Sequence, residues 1–162
     1  MTDNTQPQIH APMVVAVDHY AVAREDRLLC ARLAGSFAVC ISDEVFESGA
    51  LLHMQAGRPG RSSEDAELTD NTLSMDLLLL DRCLAELRAV EPQARHWQAR
   101  FFAHADPNAG GEERLLGLRA FFEAALEDTG IAMAGGSFYE GATQWLSFRP
   151  AMRQMRCEAD AR

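Results

Sequence analysis

The chain has 162 residues, of which 48% are hydrophobic, and a formal net charge of −9. This length fits one domain with a full apolar core, and the acidic balance argues against nucleic acid or anionic lipid as a partner. No apolar run approaches the ~20 residues of a membrane-spanning helix, and residues 1–12 lack the apolar segment of a signal peptide. We therefore expect a cytoplasmic protein that does not insert into a membrane.

The chain divides into a domain and two tails. Residues 1–12 are polar and are predicted to be disordered, and residues 158–162 are charged and are predicted to form a loose tail. Residues 13–157 are predicted to form a single domain that contains many short strands. In chain order the predicted strands are 13–17, 27–33, 37–42, 49–54, 96–103, 131–134, 143–148 and 152–157.

Two amphipathic helices interrupt these strands, and a Gly- and Pro-containing surface loop over 55–67 precedes the first. The first helix is predicted to be capped by Thr69 or Asp70, with Leu68 as a hydrophobic staple. The second is predicted to open at Glu112 and to end at Gly130. Their predicted apolar positions are Leu73, Leu77, Leu80, Leu84 and Leu87, then Leu115, Leu118, Phe122 and Leu126. The element order predicts an α+β fold, a layered, mostly antiparallel or mixed sheet with both helices on one face.

The cysteine and histidine spacings do not predict a metal centre. The chain has four cysteines, and none forms a CxxC pair. Two of them, Cys40 and Cys83, lie in apolar runs and are expected to be small core residues. His96 and His104 with Asp106 resemble a ligand set, but along an unbroken strand the two histidines would be about 26 Å apart. We expect neither a metal nor a cofactor.

Ser36 and His53 form the most informative pair. Ser36 opens the predicted strand 37–42 after Gly35, and His53 ends an apolar run seventeen positions later. A strand, a turn and a return strand would bring both side chains to one edge of a sheet. A hydroxyl beside an imidazole is the minimum requirement for nucleophilic acyl chemistry. The structural alternative is a turn serine and a partly exposed histidine, because a Ser and a His at this separation are common.

Three segments together resemble the CheD family, the chemoreceptor glutamine deamidases of bacterial chemotaxis. Residues 15–22, VAVDHYAV, are similar to the family's opening strand and its GEYAV-like stretch. Residues 33–43, LAGSFAVCISD, are similar to the signature LGSCVAVCxxD, and residues 49–54, GALLHM, to GxxxH followed by an apolar residue. The resemblance covers most of 13–157, but it is specific only over 15–54.

The resemblance implies catalytic roles for three positions. Aligned without gaps on Ala38-Val39-Cys40, the family's catalytic cysteine falls on Ser36 and its catalytic histidine on His53. The family's helper threonine falls on Cys30, which is either a helper at the site or a buried small residue. A gapped alignment would instead match the Gly-Ser pair and place Phe37 on the cysteine. The ungapped alignment is preferred because it keeps the separation from the histidine.

The implied activity is hydrolysis of a glutamine side-chain amide on a chemoreceptor, with the histidine as general base and then acid. Backbone N–H groups of the Gly-Ser turn would stabilise the oxyanion, and Asp43 or Glu44 of the hairpin turn is the candidate residue to orient His53. The implied partners are methyl-accepting chemoreceptor helices and a CheC-like phosphatase.

The departures from the family pattern leave the activity open. The nucleophile is a serine, the family's Gly-Gly-Ala is Ala103-His104-Ala105, and a later glycine-rich element is rewritten around Gly135-Gly136. Three explanations follow: a CheD-like binding protein that no longer deamidates, a serine amidase with a rebuilt site, or an enzyme whose cysteine was replaced by engineering.

Overall fold

A computed structural model describes residues 11–24, 26–56, 70–109 and 111–160. Its elements follow the predicted α+β order. The strands are β1 (Met13–Val14), β2 (His19–Ala23), β3 (Leu29–Leu33), β4 (Ser36–Asp43), β5 (Gly49–Gln55), β6 (Trp97–His104), β7 (Ala132–Tyr139), β8 (Gln144–Arg149) and β9 (Gln154–Ala159). The helices are α1 (Asp70–Val90) and α2 (Gly111–Glu127), with short 3₁₀ turns at Pro107–Ala109 and Pro150–Met152.

The strands form two mixed sheets. The five-stranded sheet has the order β2-β5-β4-β6-β7, with only β6 and β7 parallel. The four-stranded sheet has the order β1-β3-β8-β9, with only β1 and β3 parallel. Strand β4 is therefore the central strand of the larger sheet, paired along its length with β5 on one side and β6 on the other.

The elements stack in three layers around two cores. Both helices contribute to a core on one face of the five-stranded sheet, and the four-stranded sheet covers the other face. The alternation along β4 assigns its two faces: Phe37 and Val39 lie in the core with the helices, whereas Ala38 and Cys40 lie in the core between the sheets. This confirms the predicted α+β fold with two helices on one face.

The apolar positions of α2 follow the predicted stripe, and those of α1 follow it in part. Of the α1 positions, Leu77 is half-buried and the side chain of Leu73 lies outside the described part of the chain. All four predicted positions of α2 are buried, and Leu80, Leu84 and Leu87 of α1 are buried beside them. Gly130 has the left-handed conformation of a helix C-terminal cap, with φ +82°. The predicted caps and staple of α1 at 68–70 and most of the predicted loop over 55–67 lie outside the described side chains.

Several element boundaries differ from the predictions. The largest difference is β7, which continues through Gly135 and Gly136 to Tyr139, although the predicted strand ended at 134. Strand β1 is only two residues long, and β2, which follows it, was missed because its burial is partial and its sequence is not strongly apolar. The predicted loose tail is wrong at its start, because β9 continues to Ala159 through pairing with β8. The backbone of Asp160 then donates to Thr143 O, and its carboxylate accepts a hydrogen bond from Arg32 at 2.8 Å. The predicted disorder of 1–10 lies outside the described residues.

None of the helices in the described ranges has the length and apolar character needed to cross a membrane.

Candidate functional site

The β4–β5 hairpin brings Ser36 and His53 together. Ala38 of β4 pairs with His53 of β5, and Ser36 pairs with Gln55, so Ser36 and His53 are diagonal neighbours. Both side chains point into the space between the two sheets, because they follow the alternation set by Ala38 and Leu51. The predicted meeting of the two side chains is confirmed. It lies at one end of two interior strands, however, and not at the predicted edge of a sheet.

Ser36 makes two hydrogen bonds through its hydroxyl oxygen. The Oγ lies 2.9 Å from His53 Nε2, and it accepts a hydrogen bond of 3.1 Å from the backbone N–H of Ala34. The second bond fixes the oxygen on the inside of the tight turn in which Gly35 has φ +60°. The hydroxyl proton is then free to point at the imidazole.

The hydrogen bond of the other ring nitrogen of His53 determines whether Ser36 Oγ or His53 Nε2 is the donor in their contact. Nδ1 lies 2.8 Å from the carbonyl oxygen of Val15, which can only accept, so Nδ1 carries the ring proton. Nε2 therefore presents its lone pair and accepts from the Ser36 hydroxyl. A backbone carbonyl thus holds the position that a carboxylate holds in a Ser-His-Asp triad.

The surroundings of His53 favour its neutral form. Burial lowers the pKa of His53, while the Val15 carbonyl and the nearby negative charge of Asp18 act in the opposite direction. Asp18 lies just before β2, where its N–H donates to the His53 carbonyl at 2.7 Å. A neutral imidazole with a free lone pair is the form that can take a proton from a serine hydroxyl.

A second histidine flanks Ser36 on the opposite side, and the sequence analysis did not assign it to this site. Phe37 pairs with Ala103, which places His104 across from Ser36 at the end of β6. His104 Nδ1 accepts a hydrogen bond of 3.0 Å from the Gly35 N–H, and Nε2 donates to the Gly141 carbonyl at 2.9 Å. The resemblance had marked residues 103–105 as a departure from the family pattern, but the contact of His104 with the turn follows from the β4–β6 pairing.

Two N–H groups of the turn that was expected to bind an oxyanion already have acceptors. Gly35 donates to His104, and Ala34 donates to the Ser36 hydroxyl. An oxyanion next to Ser36 would have to replace His104 as the acceptor of the Gly35 N–H.

The prediction that Asp43 or Glu44 orients His53 is wrong. Asp43 lies at the far end of β4 from Ser36, where it accepts hydrogen bonds from the N–H groups of Val45, Phe46 and His96. Its buried carboxylate therefore organises the β4–β5 turn. Glu44 lies at the same end, and its carboxylate accepts a hydrogen bond from the side chain of Gln98.

Cys30 lies apart from the Ser36–His53 pair. Along β3, Leu29 and Ala31 face the core between the sheets, so Cys30 points to the outer face of the four-stranded sheet. Its thiol is buried and lies 4.0 Å from the Ser147 hydroxyl. Burial raises the pKa of Cys30, so the structure places the thiol as a small packed side chain and gives it no contact with the dyad.

The described residues contain no cluster of three or more side chains that could hold a metal ion. Strand β6 separates the two histidines of the candidate set, with His96 just before its start and His104 at its end. All four cysteines have free thiols, and Cys40 and Cys83 are buried as expected.

The dyad is closed off from solvent. Ser36 is 0% exposed and His53 2% exposed. The burial keeps water from competing for the two hydrogen bonds, and a protein substrate would reach Ser36 only after the site opens.

No protein-family model and no curated protein sequence matches this chain.

Proposed function

We propose that this chain is a CheD-like signalling protein of the cytoplasm that uses Ser36 and His53 to hydrolyse the side-chain amide of a glutamine in a protein partner. The class of partner is taken from the resemblance of residues 15–54: the helices of a methyl-accepting chemoreceptor. The observation that supports the chemistry is the Ser36 Oγ–His53 Nε2 contact of 2.9 Å.

The proton transfers of the reaction need only groups that the dyad supplies. Ser36 Oγ attacks the amide carbon while its proton moves to His53 Nε2, and the same proton then passes to the leaving nitrogen, so ammonia departs and an ester remains. Water attacks the ester as His53 takes one of its protons, and the proton returns to Ser36 as glutamate is released. The bond from His53 Nδ1 to Val15 holds the ring through both steps.

Replacement of the family's thiol should make this a slow enzyme. A serine hydroxyl is far less acidic than a thiol, and its activation depends on an aligned base. A loss of about 10³-fold corresponds to about 4 kcal/mol of barrier. A site with this geometry is thus expected to act slowly, with the rate limited by activation of the hydroxyl.

The test is release of ammonia from a glutamine-bearing chemoreceptor fragment. Wild type should release ammonia, and Ser36→Ala and His53→Ala should not. Ser36→Cys, which differs by one atom, serves as the matched variant. If wild type releases no ammonia and Ser36→Cys does, the serine amidase is refuted.

The complete burial of Ser36 favours a second candidate, a non-catalytic adaptor with a sealed remnant of the site. Such a protein would bind chemoreceptor helices or a CheC-like phosphatase without deamidating them. Pull-down of either partner by wild type and by Ser36→Ala with equal yield, with no ammonia released by any variant, would support this candidate over the enzyme.

A further inference from the structure

Ser36 lies between two histidines that come from the two strands flanking β4. His53 of β5 takes the serine hydroxyl, and His104 of β6 takes the N–H of the preceding residue, Gly35. Both rings lie on the face of the larger sheet that meets the smaller sheet, since His104 follows the alternation of Phe102. The two histidines therefore contact the same turn, one at the Ser36 hydroxyl and the other at the Gly35 N–H.

The two hydrogen bonds of His104 determine which of its ring nitrogens carries the proton. Its Nδ1 can accept from Gly35 only when it carries no proton, and its Nε2 must carry one to donate to the Gly141 carbonyl. The ring is therefore neutral with its proton on Nε2, the opposite tautomer to His53. It is 6% exposed, so water competes little for either bond.

The ring also joins two turns that lie just beyond the end of the β3–β8 ladder, whose last pair is Leu33 with Gln144. Gly35 lies in the turn between β3 and β4, and Gly141 lies in the turn between β7 and β8. The turn at Gly35 is tight: a Cβ built there would lie 3.2 Å from the side chain of Asp106, in the segment that follows β6. The imidazole of His104 thus binds the turn that contains Gly35 and Ser36 from the side opposite His53.

We propose that His104 is a positioning residue that clamps the Gly35–Ser36 turn to the β7–β8 turn and holds the Gly35 N–H away from any oxyanion. The role of His104 in a reaction rests on the proposed function, since it requires that Ser36 act as a nucleophile. The clamp itself is a property of the folded chain. In the reaction, the oxyanion displaces the ring from Gly35, so release of the clamp accompanies opening of the site.

Two variants separate the two bonds of the ring. His104→Asn places an amide oxygen near the position of Nδ1 and keeps an acceptor for Gly35, but it reaches no partner at Gly141. His104→Gln extends an amide nitrogen toward Gly141 and leaves Gly35 without an acceptor at the Nδ1 position. The variants share the same functional group and differ by one methylene.

The first measurement is amide hydrogen exchange at Gly35, followed by NMR. Exchange should be about tenfold faster in His104→Gln than in wild type, and close to wild type in His104→Asn. The second measurement is the rate of alkylation of the thiol introduced by Ser36→Cys, with the modified peptide identified by mass spectrometry. Combined with His104→Gln, this thiol should react faster than when combined with His104→Asn.

Equal Gly35 exchange in the two variants, whether fast or slow, would overturn the proposal. In the unmodified protein, nitrogen shifts showing the proton of the His104 ring on Nδ1 would overturn it as well, with no dependence on how a variant folds. Neither measurement uses amidase activity. A chain that releases no ammonia but shows the predicted exchange would refute the proposed enzyme and leave the clamp standing.

Discussion

The hydrogen bond between Ser36 and His53 should be measurable as a coupling free energy. Ser36→Ala leaves the buried His53 Nε2 without its donor. It also frees the N–H of Ala34, but Ala34 is an exposed residue, so water can take over that bond. At about 1–3 kcal/mol for one buried unsatisfied group, we expect a loss of about 1–3 kcal/mol. His53→Ala removes the bonds to Ser36 and Val15 and opens a cavity between the sheets, with an expected loss of about 3–5 kcal/mol. The double variant should lose less than the sum, because the second substitution no longer breaks the shared bond.

The expected coupling is about 1 kcal/mol, the net contribution of one neutral hydrogen bond. The free energies of unfolding are measured by urea denaturation followed by circular dichroism, with equal m-values required across the cycle. The control cycle combines His53→Ala with Ser147→Ala, since Ser147 bonds Cys30 on the outer face of the smaller sheet. The control should be additive within about 0.3–0.5 kcal/mol. If the Ser36–His53 cycle is equally additive, the two side chains do not share a hydrogen bond in solution and the dyad is refuted.

Further predictions concern pH, the β4–β5 turn and the parallel pair of β6 and β7. Because burial lowers the pKa of His53, the unfolded chain binds its proton at higher pH than the folded chain, so stability should fall as pH drops below about 6.5. The slope should be smaller in His53→Gln. For Asp43, burial acts to raise the pKa, but three backbone N–H bonds outweigh it and lower the pKa; Asp43→Asn should cost about 1–3 kcal/mol at pH 7. That cost should shrink as pH falls below about 4, where the wild-type carboxylate becomes protonated. A Cβ at Gly136 would lie 1.7 Å from the Phe101 carbonyl oxygen, whereas one at Gly135 meets nothing within 4 Å. Gly136→Ala should therefore destabilise the protein by about 2–3 kcal/mol more than Gly135→Ala.

Each of these predictions has its own control, and all are read from urea denaturation. Identical pH slopes for wild type and His53→Gln would contradict the assignment of a lowered pKa to His53. Asp81→Asn, on an exposed part of α1, should change the free energy of unfolding by less than about 0.5 kcal/mol. If Asp43→Asn changes it equally little, Asp43 does not organise the β4–β5 turn. Gly135 and Gly136 both have positive φ, at 137° and 149°, so their alanine variants share the backbone strain. Equal losses would mean that the backbone of β6 moves aside.

The sequence predicted the layers well because periodicity reports burial. The continuous apolar runs of β4 and β5 mark strands covered on both faces, and the leucine stripes mark helices that pack on one side. What periodicity does not report is which strand lies next to which. The pairing of β4 with β6, which places His104 beside Ser36, joins residues nearly seventy positions apart and has no local signal.

The candidate site was predictable to the same extent. Ser36 and His53 belong to one hairpin, so a local argument was enough to bring them together. The partner of His53 Nδ1 is a backbone carbonyl at Val15, and a carbonyl leaves no mark in the sequence that would distinguish it from any other. The predicted orienter was therefore an acidic residue, Asp43, which lies at the opposite end of β4 from Ser36.

The central place of β4 has a consequence for how position 36 can evolve or be engineered. A strand paired on both sides cannot shift by one residue without turning its whole apolar set to the wrong core. The backbone at Ser36 is thus held by its pairing with Gln55 and by the pairing of the next residue, Phe37, with Ala103, in addition to the bond from Ala34 to the hydroxyl. Exchange of the alcohol for a thiol there changes the intrinsic reactivity of the side chain, while the position of the backbone stays the same. This protein is therefore suited to comparing nucleophiles at one fixed position.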